Sequence, residues 1–563
     1  MLVKYLKIFS ILLLFYTTPL YSKNNYNKKF NSKNLSDYFS AITAYDNKKN
    51  KDALKFFNSS KLLINKHDPY LNRYILSLVR AGKIKQSINY LNLNKDKKNT
   101  DFFEAYLLLS LESIQNNDFK KANKILKKLD NFEENEIDML SLIVYETLKS
   151  YIYLFKNKKI SPKIQDFGDL SSITQAFQSC YLNDKKTISY FLNLVDNKEA
   201  TYSRYKFFYI NYLLSQNKFE NINDIVNKID ILNSSLLVYQ TNIWVQNNQF
   251  KNISDIFSCE NENNLLSEFF FIIGNLYSNQ NNYEKSNFYL NLSNYLNPKF
   301  KFNLTLIAEN YYNEDDYIES KKILLKFNKN DGIYNWYQIK KRAKIIYQSD
   351  GEEESISFII SKFNTIKDPS IRIVYDMANI LKNFKKFETA IGYYNEVISK
   401  TKKFDISYAE LLYRRGGCYE RIREYNKSDQ DLLKSLEIKP NDAYVLNYLA
   451  YSWLERNYKI EVAIEMLERA HKEERNDPYI LDSIGWAYYL IGDFIKAEKF
   501  LTQAIKLMPD DPIVNDHYGD ILWMMDRKIQ ARYYWKSVLA IEDADEDMKK
   551  NINDKLLIGL IKT

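Results

Sequence analysis

Glycine and proline are scarce, with 12 and 9 in 563 residues. Average usage is roughly 7% and 5%, so the turns of a sheet-rich or loop-rich protein lack their residues and the composition predicts an all-α chain. Histidine is scarcer still: His67, His471 and His517 are the whole set, and none has the spacing of a metal site. The cysteines, Cys180, Cys259 and Cys418, are odd in number and scattered. Disulfide frameworks are dense and even-numbered. The expected reading is three buried thiols packed as small hydrophobes, with a single Cys180–Cys259 bridge as the alternative. There is no Gly-x-Ser-x-Gly elbow, no Cys-x-x-Cys pair, no phosphate-binding G-x-x-x-x-G-K-[ST] loop and no dinucleotide fingerprint. Catalysis therefore finds no residues to work with, and no enzyme activity, cofactor or metal is expected.

What the chain does have is a register of about 34 residues, clearest from Ile371 to Val538. Gly416, Ala450, Gly485 and Gly519 follow one another at 34, 35 and 34 residues. Ser428, Ala463, Ala497 and Ala531 do so at 35, 34 and 34. Such a period marks stacked supersecondary units. In the window at Pro478, apolar residues at Ile480, Leu481, Ile484, Ala487 and Tyr488 have helical spacing. Gly492 then suits a left-handed position after a helix. A second helical tract carries Phe494, Ala497, Phe500, Leu501, Ala504 and Ile505, and Pro509 stops it. Gly485 and Ala497 are read as small because two helices cross closely there. Gly416-Gly417 is read as helix-crossing space too, since no loop signal surrounds it. Such a hairpin must stack on neighbours to bury its apolar face.

Leu481, Gly485, Tyr488, Ala497, Leu501, Ala504 and Pro509 match the order and spacing of the tetratricopeptide repeat, and the chain resembles that family. Gly519, Leu522, Ala531, Trp535 and Val538 repeat the match, as do Gly416, Tyr419, Leu432 and Pro440. The window at Tyr444 fits with one residue inserted near Tyr458. Ser428 departs from the usual alanine, and Asp543 from the usual proline. The phrasing from Asn476 to Tyr489 also resembles exported tetratricopeptide proteins of Gram-negative bacteria. The resemblance implies an α-solenoid, a superhelix of about 15 antiparallel helix pairs. A polar turn followed by an aromatic or apolar residue extends the register upstream through Phe387, Tyr317, Tyr283, Phe250, Phe219, Phe119, Ile84 and Lys51. The expected organisation is a signal peptide at 1–22, a polar linker at 23–34 and helical hairpins at 35–130. Degenerate repeats then cover 131–370, a well-formed array 371–542 and a capping helix 543–563.

Lys4 and Lys7, the apolar run Ile8–Tyr16 and the polar exit to Ser22 read as a secretory signal. The expected location is the periplasm, with an uncleaved inner-membrane anchor at residues 6–20 as the alternative. The net charge of +9 is spread among 71 acidic residues, with no arginine-rich run, so a solvated repeat surface is expected and no nucleic acid partner. Membrane contact is expected to be peripheral or through the uncleaved N-terminus.

In tetratricopeptide arrays the first helix of each pair lines a groove, and the resemblance assigns that role to positions 2, 5, 9, 12 and 13 of each window. Here these include Tyr444, Asn447, Tyr479, Asp482, Trp486, Tyr489, Leu490, Ile513, Asp516, Asp520, Trp523 and Met524. Tyr479, Asp482, Trp486, Tyr489, Asp520 and Trp523 are the expected partner contacts, aromatics as anchors and acids selecting a basic ligand. Against this stands simple packing of Trp486 and Trp523 on the next helix. Asp516, His517 and Asp520 read as a polar helix face rather than a metal site. The lysine and asparagine set that clamps a terminal carboxylate in chaperone-binding relatives is absent. The favoured reading is a non-enzymatic envelope scaffold for a protein or peptide. The alternative is an accessory subunit of polysaccharide export, synthesis or secretion machinery, binding glycan or nascent chain. A third reading, an enzyme domain within 130–370, finds no motif to support it.

Overall fold

A computed structural model describes residues 32–560 apart from 65, 95–97, 132–137, 163–164, 197–202 and 403–405. The expected signal at 1–22 lies outside the described residues. Of the expected linker at 23–34, the last residues already belong to the helix Ser32–Asp46. The described residues form 30 α-helices with short 3-10 turns and no strand. None of these helices is long and apolar enough to cross a membrane.

The turn residues explain why the hairpins are so regular. The upstream ruler residues Phe119, Phe219, Phe250, Tyr283, Tyr317 and Phe387 each open a second helix. Two residues before each of these openings stands a left-handed residue: Asn117, Asn217, Asn248, Asn281, Asp315 and Lys385. Gly82 and Gly492 fill the same place before Ile84 and Phe494. Asparagine and aspartate tolerate this conformation best after glycine, so the polar cluster is the turn itself. The residue just before the helix often caps it, as Asp118, Asn282, Asp316 and Asp493 do through their side chains. The residue inserted near Tyr458 is absorbed by a second left-handed residue, since both Asn457 and Lys459 have positive φ.

The helices gather into two compact units, divided between Ile345 and Ile346, with residues 230–233 belonging to the second. The boundary falls inside the helix Ile333–Asp350, where composition gives no linker signal. In the C-terminal unit, five hairpins follow in order. Their first helices are Ile371–Asn383, Ile406–Arg421, Ala443–Glu455, Pro478–Leu490 and Pro512–Met524. The last hairpin is followed by a single helix, Glu546–Ile558, which packs on the helix Lys528–Val538. Ala463, Ala497 and Ala531 are fully buried where the hairpins close. A Cβ on Gly485 would meet Leu501 Cγ at 2.7 Å, and one on Gly519 would meet Trp535 at 2.4 Å. Both glycines are therefore close-approach positions, as their register implies.

The N-terminal unit is built from similar hairpins but departs from nearest-neighbour stacking. The helix Asp68–Arg80 packs against the helix Tyr283–Leu296. Arg80 donates to Glu284 Oε1 at 2.8 Å, while Asn291 Nδ2 donates to the Arg80 carbonyl at 3.2 Å. Here the structure also corrects the cysteine reading. Cys180 and Cys259 form a disulfide with their Cα atoms 5.7 Å apart, and only Cys418 is a buried free thiol. A separation of 79 residues bears no relation to the repeat period, so the register could not signal the pairing.

Candidate functional site

In the C-terminal unit the first helices lie side by side, each exposing one edge and offering another to the next. Their first turns carry an apolar ladder in register: Tyr444 is 55% exposed, Tyr479 61% and Ile513 46%. Asp442, Asp477 and Asp511 fix these turns by accepting bonds from backbone N–H groups, and Pro478 and Pro512 occupy first-turn positions. The ladder therefore sits on helix starts held by side-chain caps.

Deeper on the same face the expected contact residues divide. Trp486 is half-buried and stacks on the His517 ring at 4.1 Å and on Tyr489 at 4.7 Å. Tyr489 shares the edge of this stack, with its hydroxyl pKa pushed up to about 12 by burial and the nearby Asp520 and Asp516. Trp523 lies 5.3 Å from Trp535 and is covered by the backbone at Gly559, where a Cβ would meet the indole at 1.9 Å. So Trp523 packs chiefly within the chain, whereas Trp486 and Tyr489 retain a partly open edge.

The two carboxylates lie deeper than the aromatic residues. Asp482 and Asp520 are buried, 6% and 4% exposed, and both are already satisfied. Asp482 meets His517 Nδ1 at 3.0 Å. Asp520 accepts from Trp535 Nε1 at 2.9 Å and from Lys555 Nζ at 2.8 Å. Lys555 also donates to Asp516 at 2.6 Å. The reason is the stacking: an acid at this depth faces the following helix and loses its water, so it must find a partner there. Both acids are thus buried and paired within the chain. Asp516 and Asp520 converge on Lys555 while His517 turns to Asp482, and no group of side chains able to hold a metal occurs among the described residues.

The arrangement is a polar ladder joining successive first helices. Tyr375 donates to Glu410 at 2.8 Å and Tyr448 to Glu420 at 3.0 Å. Asp482 with His517, and Asp516 and Asp520 with Lys555, supply the next rungs. Electrostatics follow from burial. Asp520 is pushed up to about 6 by burial and by Asp516, against the pull of Lys555 and His517. Burial disfavours charge on His517, but Asp482, Asp516 and Asp520 outweigh it and raise its pKa. Sequence reasoning missed Lys555, because a lysine on a terminal helix carries no register of its own.

Comparison with known proteins finds the same repeat in part of the chain. The tetratricopeptide repeat model matches residues 267–300, 409–442 and 479–511. The TPR repeat-containing protein PA4667 of Pseudomonas aeruginosa is 34% identical over 110 residues, 20% of this chain and 18% of that protein. Human aspartyl/asparaginyl beta-hydroxylase is 23% identical over 199 residues, 34% of this chain and 25% of the enzyme. The chain thus spans a quarter or less of these curated relatives. Among solved structures, a thermophilic TPR protein of Thermus thermophilus aligns at 18% identity and a TM-score of 0.30, over 34% of this chain and 100% of that one. With the register, the left-handed turns and the matched windows in agreement, the chain carries tetratricopeptide repeats at 267–300, 409–442 and 479–511 within an all-α fold.

Proposed function

We propose that the chain is a non-enzymatic scaffold that holds a protein or peptide on the first-helix face of its C-terminal unit. The observation that carries this is the exposed ladder of Tyr444, Tyr479 and Ile513, set beside the open edge of the Trp486–Tyr489 stack. Large rigid side chains on capped helices offer contact area at little entropic cost. The ladder is apolar and the deep acids are internally paired, so apolar anchors rather than a basic charge pattern select the partner.

The proposed location is the periplasm, reached through residues 1–22, with an inner-membrane anchor at 6–20 as the alternative form. The Cys180–Cys259 disulfide supports an exported chain, because such bonds persist in oxidising compartments. The hydroxylase likeness covers only a quarter of that enzyme, and the reading here assigns no hydroxylation to this chain.

Crosslinking in the native envelope, followed by mass spectrometry, tests the scaffold. Crosslinks from a protein partner should map near Tyr479 and weaken in a Tyr444→Ala, Tyr479→Ala double variant. A partner that crosslinks equally well to that variant would remove the first-helix face from consideration. N-terminal sequencing of the envelope-derived chain decides between cleavage after about Ser22 and the anchored form.

A further inference from the structure

Position 9 of the first helix carries Tyr451, Trp486 and Asp520 in three successive windows, but Gly417 in the window before them. The two neighbouring glycines do different work. A Cβ on Gly416 would press on Leu432 at 3.1 Å, which is helix-crossing contact. One on Gly417 would meet only Tyr448, at an ordinary 3.5 Å. The helix crossing therefore does not require Gly417, and the expectation that both glycines serve it holds for Gly416 alone. What the missing side chain leaves is a hollow of about 160 Å³, lined by Lys382, Phe387, Tyr413, Arg414, Gly417, Arg421 and Tyr448.

The charges around this hollow do not balance. Arg414 is paired with Glu410 at 2.7 Å, and Arg421 lies 3.5 Å from Glu420. Lys382 is half-buried and has no hydrogen-bond or ion-pair partner among the described residues. Three cations against two carboxylates leave one positive charge uncompensated, and a half-buried charge is stabilised by an opposite one beside it. Burial, with Arg414 and Arg421 nearby, lowers the Lys382 pKa, as expected of an ammonium that lacks a counterion. The walls add aromatic surface from Phe387, Tyr413 and Tyr448.

We infer that this hollow is a binding site for a single carboxylate carried on a peptide. The charge count favours a monoanion over a doubly charged phosphoryl group, and the aromatic walls suit the methylene stem that bears it. Lys382 would supply the ion pair, Arg414 and Arg421 the surrounding field, and Gly417 the room. The site rests on the scaffold reading above and gives it a chemical preference at a place separate from the Tyr479 ladder. The carboxylate could belong to an acidic side chain or to a chain terminus.

Three fluorescently labelled peptides titrated into the full chain separate these cases: an acetylated, amidated tetraglutamate, its tetraglutamine counterpart, and the tetraglutamine with a free C-terminus. Tetraglutamate should bind more tightly than amidated tetraglutamine, and the affinity should fall with salt. Binding of the free-terminus tetraglutamine instead would assign the site to a chain end. Lys382→Met should weaken the carboxylate-bearing peptide by roughly tenfold or more, the usual scale for losing a bond to a charged group. Lys382→Arg should retain most of the binding. Gly417→Leu, which fills the hollow, should abolish it, with Gly417→Ala as a milder filling compatible with the helix. Tyr479→Ala should leave it unchanged. If all three peptides bind alike, or if Lys382→Met and Gly417→Leu bind as the wild type does, the pocket is not a carboxylate site. That failure would leave the crosslinking test of the Tyr479 ladder standing on its own.

Discussion

The two units use one building block to opposite ends. In the C-terminal unit each hairpin's main partners are the hairpins before and after it, so equivalent positions face equivalent surroundings and the sequence repeats. In the N-terminal unit hairpins also meet partners far along the chain. Arg80 pairs with Glu284 across 204 residues, Tyr277 donates to Asp138 across 139, and the disulfide spans 79. A position that must fit a unique distant partner cannot also obey a periodic rule. Specialised packing of this kind interrupts a sequence register while keeping the hairpin, and one window of the N-terminal unit, 267–300, still matches the repeat model.

The largest test of this contrast is a broken ion pair. Arg204 donates through Nε and Nη2 to Glu268 at 2.7 Å and through Nη2 to Asn303 at 2.8 Å, with Glu268 1% exposed. Glu268→Ala strands a largely buried guanidinium, and breaking a buried pair typically costs about 3–5 kcal/mol. Because the helix Tyr283–Leu296 packs on the helix Asp68–Arg80, the damage should reach residues 68–80. Hydrogen exchange should show both helices losing protection together. Retained protection at 68–80 would mean that this unit, too, is coupled only along the chain.

A pH test gives the two units opposite signs. Asp520 titrates near 6 when folded, above the unfolded value of about 3.9. Its contribution is full below pH 4 and is lost as pH rises through 6, on the order of 3 kcal/mol. His517, also raised, extends the loss to higher pH. Asp138 behaves in reverse. Burial opposes its charge, but Lys285, Ser141 and Tyr277 hold it down at about 2. Its stabilisation is present above pH 4 and is lost as pH falls toward 2. Protection of the helix Glu546–Ile558, taken relative to base-catalysed exchange of a free chain, should therefore fall between pH 5 and 8, and Asp520→Asn should flatten that response. A wild-type helix that becomes more protected over this interval would contradict the assignment.

Overpacking probes the stack more gently. Leucine at Gly485 would drive a Cβ to 2.7 Å from Leu501 and 3.3 Å from the Ala497 carbonyl, costing about 1–3 kcal/mol. Protection should fall in the flanking hairpins, 443–473 and 512–538, and stay unchanged in the window at Ile371. Uniform loss across the C-terminal unit would show that it unfolds as one block.

How much of this was legible in the sequence depends on the range of the contact. Helix starts at Phe119, Phe219, Tyr283 and Phe387 could be read because a left-handed residue two places earlier leaves a local polar signature. Gly485 and Ala497 could be read because their partner lies within the same hairpin. The Cys180–Cys259 bond and the Arg80–Glu284 pair could not, since nothing local marks either end. The burial of Asp482 and Asp520 was illegible for a related reason. Register places a residue on a helix face, but whether that face is wet depends on the next helix, and here His517 and Lys555 had already closed it.

The smallest effect compares one register position across both units. The fourth residue of the second helix is alanine at Ala463, Ala497 and Ala531, and serine at Ser286, Ser320 and Ser428. In the N-terminal unit the serines are bonded: Ser286 donates to the Gly274 carbonyl at 2.7 Å and accepts from Asn310 at 2.7 Å, and Ser320 donates to the Ala308 carbonyl at 2.8 Å. Ser428 is equally buried, but its hydroxyl finds no partner. An unsatisfied buried hydroxyl carries its desolvation penalty uncompensated, whereas a bonded one contributes roughly 1 kcal/mol. Ser428→Ala should therefore stabilise the C-terminal unit by about 1 kcal/mol, helped by alanine's helix propensity. Ser286→Ala should destabilise the N-terminal unit by a similar amount, since it removes one acceptor from Asn310. Denaturant titration followed by exchange in each unit would resolve the two signs. If both substitutions shift stability in the same direction, register alone governs this position and the two units differ less than their contacts imply.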